Sequence, residues 1–225
     1  MKKVIIAGST GLIGKSVAKF MKKNYVVIEL NRKSGDDFTN EKFVKQWFRK
    51  NKADYLINLF ALNDHVYDKR KKQTLFDVSL DSFNSYLKVN LTALFSVCRE
   101  FARNNKKGTI INFSSIYGIL SPIPSMYKGK EKHIGYSVSK AGVIMLTKHL
   151  AAHLAPNIKV NCVVPGGIKE SNIDKKFEEE YSKRTPLKRM MNVNEINGII
   201  EYLCSEKASY VTGSIFCLDG GWTIQ

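Results

Sequence analysis

No apolar run in the 225 residues reaches the roughly 20 positions that a membrane-spanning helix needs, which argues against an integral helical membrane protein. Cysteine is sparse and its spacing unpaired. Cys98, Cys162, Cys204 and Cys217 stand far apart, each in an apolar stretch, and read as buried free thiols rather than a disulfide framework or a paired metal motif. Internal repeats, low-complexity tracts and Pro/Ser/Gly linkers are missing too, so one domain over residues 1–225 is expected. Acidic residues are in short supply: 20 Asp and Glu face 36 Lys and Arg, a formal charge of +16. That surplus reads as general lysine-rich usage, as attraction of an anionic small substrate, or as nucleic-acid binding. The lysines run along the whole chain instead of forming one block, so no nucleic-acid partner is expected. Met1–Ala7 carries two lysines before an apolar run, but the run is short and passes into glycines rather than a cleavage site. It reads as a first strand, in a cytoplasmic protein with no membrane partner.

What is present is an alternation of short β-branched runs with longer amphipathic stretches. Val4–Ala7, Val26–Leu30, Tyr55–Leu59, Thr109–Phe113 and Lys159–Val164 read as buried strands, and Ile215–Leu218 as a late edge strand. Helical patterns lie near 14–23, 40–51, 79–104, 136–154 and 193–205. Strand and helix in turn imply right-handed crossovers and an α/β fold, a single doubly wound parallel sheet with helices on both faces. Two stretches break the rhythm: 119–135, read as a long loop, and the charged 169–192, read as a flap with short helices. Both follow strand ends on the side where such sheets bind ligands.

After the first strand comes Gly8-Ser9-Thr10-Gly11-Leu12-Ile13-Gly14, then a helix. Glycines there permit positive φ and close approach of a pyrophosphate, and the helix start offers free N–H groups. A tight structural turn is the alternative. The second strand ends in Glu29-Leu30-Asn31-Arg32-Lys33. Asn31, Arg32 and Lys33 favour the 2′-phosphate of NADP, whereas Glu29 stands one residue early and faces away; NAD stays open.

Tyr136-Ser137-Val138-Ser139-Lys140 opens a helix, and a spacing of four puts Tyr136 and Lys140 on one face. An ammonium there is expected to lower the phenol below its reference pKa of about 10, so that Tyr136 exchanges a proton with a substrate oxygen. Such a pair on an ordinary helix surface is the plainer alternative. Ser114 and Ser115 end an earlier strand, where a hydroxyl can support charge on a carbonyl oxygen. Asn90 is polar inside a largely apolar helix. His149 and His153, four apart, have no evident third ligand for a metal, so no metal site is expected.

Together these residues resemble the compact branch of the short-chain dehydrogenase/reductase family across essentially the whole chain. The matches include the glycine turn, Ser115, Tyr136 to Lys140, Val160–Ile168, Thr185-Pro186-Leu187-Lys188-Arg189, and Val211-Thr212-Gly213 through Asp219-Gly220-Gly221-Trp222. The resemblance implies a hydride transfer between NAD(P) and a carbonyl or hydroxyl carbon. Tyr136 would be the general acid/base, and Lys140 would tune it and bond the nicotinamide ribose. Ser115, preferred to Ser114, would polarise the substrate oxygen, and Asn90 would hold the water of a proton relay. Gly8, Gly11, Ile13 and Gly14 would form the pyrophosphate turn, with Asn31 and Arg32 beside the adenosine ribose and Asp37 at the adenine amine. Asn58 would start the segment beside the cofactor, and Gly166 and Ile168 would flank the nicotinamide. Glu170 stands where a threonine commonly bonds the nicotinamide amide. Few residues separate Arg32 from Asp37, so a helix and strand usual in the family are missing or shortened. The 119–135 loop brings Tyr117, Tyr127, Lys128, Lys130, Lys132 and His133 towards the substrate side. It resembles that of bacterial members in surface-sugar pathways, which implies a sugar or nucleotide sugar. A homodimer or homotetramer packed through helices 79–104 and 136–154 is expected. The competing reading is a non-catalytic dinucleotide sensor or scaffold, which would not need Asn90, Ser115, Tyr136 and Lys140 together.

Overall fold

The computed structural model describes residues 1–66, 74–127 and 131–224. Its elements are β1 (Lys3–Ala7), α1 (Leu12–Met21), β2 (Val26–Leu30), α2 (Glu41–Lys50), β3 (Tyr55–Asn58), β4 (His65–Val66), α3 (Leu80–Leu87), α4 (Leu94–Asn104), β5 (Gly108–Phe113), β6 (Glu131–Lys132), α5 (Ile134–Leu154), β7 (Ile158–Pro165), α6 (Lys175–Arg184), α7 (Ile196–Leu203) and β8 (Ile215–Leu218). Six strands form one parallel sheet in the order β2-β1-β3-β5-β7-β8. Val4 to Ala7 are completely buried because helices cover both faces of this central strand. The strand alternation sorts the core into two layers. Ile5, Leu56, Ile110 and Val160 meet Val44, Phe48, Val97, Phe101 and Val143 of α2, α4 and α5. Val4, Ile6, Ile57 and Ile111 meet Val17, Met21, Ile196, Ile200 and Leu203 of α1 and α7. Among the described residues, no helix is long and apolar enough to cross a membrane.

The chain steps from β1 out to β2, then back past β1 to β3. The C-terminal ends of β1 and β3 therefore flank the point where strand order reverses, and a crevice opens there. Among the described residues no strand pairs beyond β2. Asn31 caps a single 3₁₀ turn, Arg32–Ser34, and α2 follows, so β2 is the sheet edge.

Three expectations change. The helix over 79–104 is not continuous: α3 and α4 are joined by a π-helical segment, Lys88–Ala93, which contains the buried Asn90. The 119–135 stretch is more ordered than a loop. It holds a 3₁₀ turn at Pro124–Tyr127, then β6 paired antiparallel with β4, then the start of α5. The 169–192 stretch has one ten-residue helix, α6, whose N-terminus is capped by Asp174 and whose Tyr181 is buried.

Candidate active site

Close packing sets the cleft floor. Gly8 has φ +93°, and a Cβ there would lie 2.5 Å from the Phe60 nitrogen; one on Gly14 would lie 2.2 Å from the Gly8 oxygen. These two glycines let β1, α1 and the segment after β3 touch. Gly11 differs: a Cβ on it would come no nearer than 3.6 Å to the Gly8 oxygen. Gly11 starts α1 with no side-chain cap, and the first turn has no acidic residue. The opening N–H groups of α1 are thus available to an anion beside Gly11.

Two cavities, of about 520 and 340 Å³, share Gly11, Leu59 and Ala61 and make one cleft running over the helix start. The larger is lined by Asn31, Arg32, Asp36, Asp37, Phe38 and Phe60, with the two phenyl rings 4.6 Å apart. Asn31 Oδ1 accepts from the Ser34 N–H and hydroxyl, holding the turn that carries the exposed Arg32. Asp37 accepts from the Thr39 hydroxyl and N–H, and these bonds, with Arg32 and Lys88 nearby, push its carboxyl below the ordinary value. Glu29 pairs instead with Lys22 at 2.6 Å.

The smaller cavity brings together Ile13, Gly14, Ser115, Tyr136, Lys140, Gly166 and Ile168. Ser114 donates to the Lys140 carbonyl at 2.7 Å, whereas the Ser115 hydroxyl accepts from the Tyr117 N–H and bonds Tyr136. Lys140 Nζ lies 5.8 Å from the centre of the Tyr136 ring and donates to the Phe113 carbonyl at 2.8 Å. Burial pushes Lys140 down to about 8, so it is still mostly protonated at neutral pH.

The expected lowering of the Tyr136 phenol does not occur here. Burial raises it, the Ser115 hydroxyl pulls the other way, and Tyr117 and Tyr86 add to the rise. The spacing of four was right, but enclosure of the ring sets the direction of the shift. Two other expectations are corrected. The Asn58 amide does not line the cleft; it donates to Asn112 and Cys98 inside the core, and the cleft wall begins at Leu59. His133 does not reach the substrate side: it stacks on Tyr86 at 4.2 Å, bonds the Ser82 hydroxyl and caps α5. Lys128 and Lys130 lie outside the described residues. His149 and His153 stack on each other on the exposed face of α5, and no group of three potential metal ligands occurs among the described residues.

Asn90 acts through its amide. It accepts from the Leu62 N–H at 2.7 Å and donates to the Leu62 carbonyl and the Ser139 hydroxyl, tying the cleft wall to the Tyr136 helix. Sequence reasoning missed Tyr181. Its hydroxyl accepts from the Gly167 N–H at 2.6 Å while its ring stacks on Trp222 at 4.3 Å, which fixes the Gly166–Ile168 wall. Nothing in the charged α6 sequence marked it. Phe38 and Asn63 were likewise unmarked.

A long two-ended ligand with a central pyrophosphate fits these residues: an uncapped helix start in the middle, a basic turn and aromatic floor at one end, and Tyr136 with Lys140 at the other. Comparisons with known proteins agree with that reading of the fold. A family model described as enoyl-(acyl carrier protein) reductase matches residues 14–223. A 3-oxoacyl-[acyl-carrier-protein] reductase, FabG, of Aquifex aeolicus (strain VF5) is 32% identical over 97% of this chain and 86% of its own length. A short chain dehydrogenase from Leptospira borgpetersenii, solved with bound NAD+, superposes with a TM-score of 0.85 at 32% identity, covering 99% of this chain and 92% of that one. ElxO, solved with NADP, gives a TM-score of 0.82 at 26% identity over the full length of both.

Proposed function

The chain belongs to the short-chain dehydrogenase/reductase family, and on that premise we propose that it is an NAD(P)-dependent oxidoreductase interconverting a carbonyl and a hydroxyl carbon. The observation that carries this is a single cleft. Ser115, Tyr136 and Lys140 stand at one end, and the Arg32 turn at the other, with the open start of α1 between them. When bound, the nicotinamide supplies or accepts the hydride. The chain's own residues do the rest. Gly11 and the α1 N–H groups hold the pyrophosphate, with Ile13 and Gly14 beside it and Gly8 keeping the turn closed. Gly166 and Ile168 wall the nicotinamide end. Ser115 donates to the substrate oxygen as negative charge grows on it. Tyr136, kept protonated by its burial, gives its phenolic proton to that oxygen in reduction and takes one back in oxidation. Lys140 stabilises the tyrosinate left behind, and Asn90 positions the Leu62 wall and Ser139.

The substrate falls among polar carbonyl compounds, sugar derivatives included, because Asn63, Lys132 and Glu170 share the cavity wall with Tyr136. Exposed apolar side chains on α4 and α5 (Phe95, Val138, Met145) support a homodimer or homotetramer of this one-domain, cytoplasmic enzyme.

Arg32, exposed at the end of β2 on the lining of the larger cavity, is a basic group of the kind that accepts a 2′-phosphate, which supports NADP over NAD. Steady-state rates with NADPH and NADH on a panel of keto sugars and simple ketones test both readings. Turnover is expected with NADPH preferred, and Arg32→Ala should cut the NADPH-to-NADH ratio of kcat/KM by about tenfold, the loss of one charge-assisted contact. An unchanged ratio would remove Arg32 from the selection, and no turnover with either nucleotide would remove the oxidoreductase reading.

A further inference from the structure

Lys132 is the cleft residue whose chemistry the hydride transfer leaves unused. It sits on β6 and lines both the Tyr136 cavity and a neighbouring cavity of about 730 Å³ under α6. Its Nζ lies 4.6 Å from the centre of the Tyr136 ring, closer than that of Lys140. Among the described residues its hydrogen-bond partners are both oxygens of Asn63, main chain and side chain, and it forms no ion pair. Neutral oxygens hold the ammonium in place, and the one carboxylate that acts on it, Asp64, does so through space without an ion pair, so its charge is not cancelled. Burial pushes it down to about 8 against the opposing pull of Asp64, a cost that an anion bound in the cavity would repay.

The mounting is also well built. Asn90, itself buried, clamps both main-chain groups of Leu62, and the next residue, Asn63, holds Lys132. Pairing of β6 with β4 fixes the same point from the other side. The amide that ties down the catalytic helix thus also sets the position of this ammonium. A substrate oxygen bonded to Tyr136 lies beside the ring over which Lys132 is poised, so a second group on the same small molecule reaches it within a few bonds.

Resting on the oxidoreductase reading, we infer that Lys132 is a specificity-determining residue that binds a carboxylate one or two carbons from the reacting carbonyl, so that the substrate is an oxo acid and the product a hydroxy acid. In reduction the carbonyl carbon receives a hydride from the reduced nicotinamide and its oxygen receives the Tyr136 proton, while the carboxylate is unchanged. Glu170 on the same cavity wall repels a carboxylate placed towards it, which favours the orientation facing Lys132.

The test uses matched pairs: 2-oxobutyrate and its ethyl ester, acetoacetate and ethyl acetoacetate, each with NADPH and NADH. The quantity read is the acid-to-ester ratio of kcat/KM within each protein, so a general loss of folding or cofactor affinity cancels. Wild type should favour the acid of at least one pair by about 30-fold, the scale of one buried charge-assisted bond. Lys132→Gln should bring the ratio near one, and Lys132→Arg should restore most of it. Calorimetric binding of the same pairs to the cofactor-loaded Tyr136→Phe protein gives a second reading that needs no turnover. Equal handling of acid and ester in both readings, preference for the ester or for a neutral 3-oxoacyl thioester, or an unchanged ratio in Lys132→Gln overturns the assignment of Lys132. Failure to bind either nucleotide is a different result, and it strikes the oxidoreductase reading instead.

Discussion

Tyr136→Phe is expected to lower kcat by about 1,000-fold while the protein still folds and binds its nucleotide. The substitution removes only the phenolic oxygen, and loss of a positioned acid/base group costs on the order of 10² to 10⁴ in rate. The ring remains to fill its buried place beside Ser115, Tyr117 and Tyr86. Because burial raises the phenol, wild-type Tyr136 should work as a proton donor throughout the neutral range. Reduction therefore calls for protonated tyrosine, and it should weaken only on the alkaline side. Lys140, pushed down to about 8, adds to that alkaline loss, since it carries charge below this value and loses it above. Stopped-flow oxidation of the reduced nucleotide, with wild type and variant at matched saturation, measures the effect. A variant retaining a tenth or more of the rate would take the proton-transfer role away from Tyr136.

The second large effect separates two glycines that look alike in the sequence. In Gly14→Ala the new Cβ meets the Gly8 carbonyl and the Ser9 backbone, neither of which can swing aside. Overpacking of this kind costs about 3 kcal/mol, and Tm should fall by about 6–12 °C for a chain of this size. Gly11→Ala meets nothing closer than ordinary contact and has a φ that alanine accepts, −69°. Its Tm should stay within about 2 °C, while nucleotide affinity falls about tenfold as the methyl crowds the helix start. Thermal melts and nucleotide titrations on the two variants distinguish the outcomes. A Gly14→Ala protein as stable as wild type would contradict the close packing of α1 on the Gly8–Ser9 turn.

The inner strands were legible because they are buried runs whose alternate side chains feed two core layers, so position and identity both showed in the sequence. Lys3–Ala7, Tyr55–Asn58 and Gly108–Phe113 are clear cases, whereas Val26–Leu30, read as buried, lies at the sheet edge with only Leu30 buried. Tyr136 and Lys140 were legible because one helical turn relates them. The π-helical segment at Lys88–Ala93 was not: Asn90 showed only as a polar residue in an apolar helix, and its partner Leu62 is remote in sequence. The direction of the Tyr136 shift was also hidden, since enclosure by Tyr117, Tyr86 and Ser115 is tertiary. Lys132 belonged to a lysine-rich stretch and looked like its neighbours. Only the pairing of β4 with β6 and the bonds to Asn63 set it apart. His133, three residues before Tyr136, shared that stretch yet turns to Tyr86 and Ser82.

Titration of the wild-type protein with NADH and NADPH, followed by addition of a carbonyl substrate, goes most directly to the central claim. Saturable binding at one site per chain, with loss of the reduced-nicotinamide absorbance once the substrate is added, is the predicted result. Failure of both nucleotides to bind would contradict it.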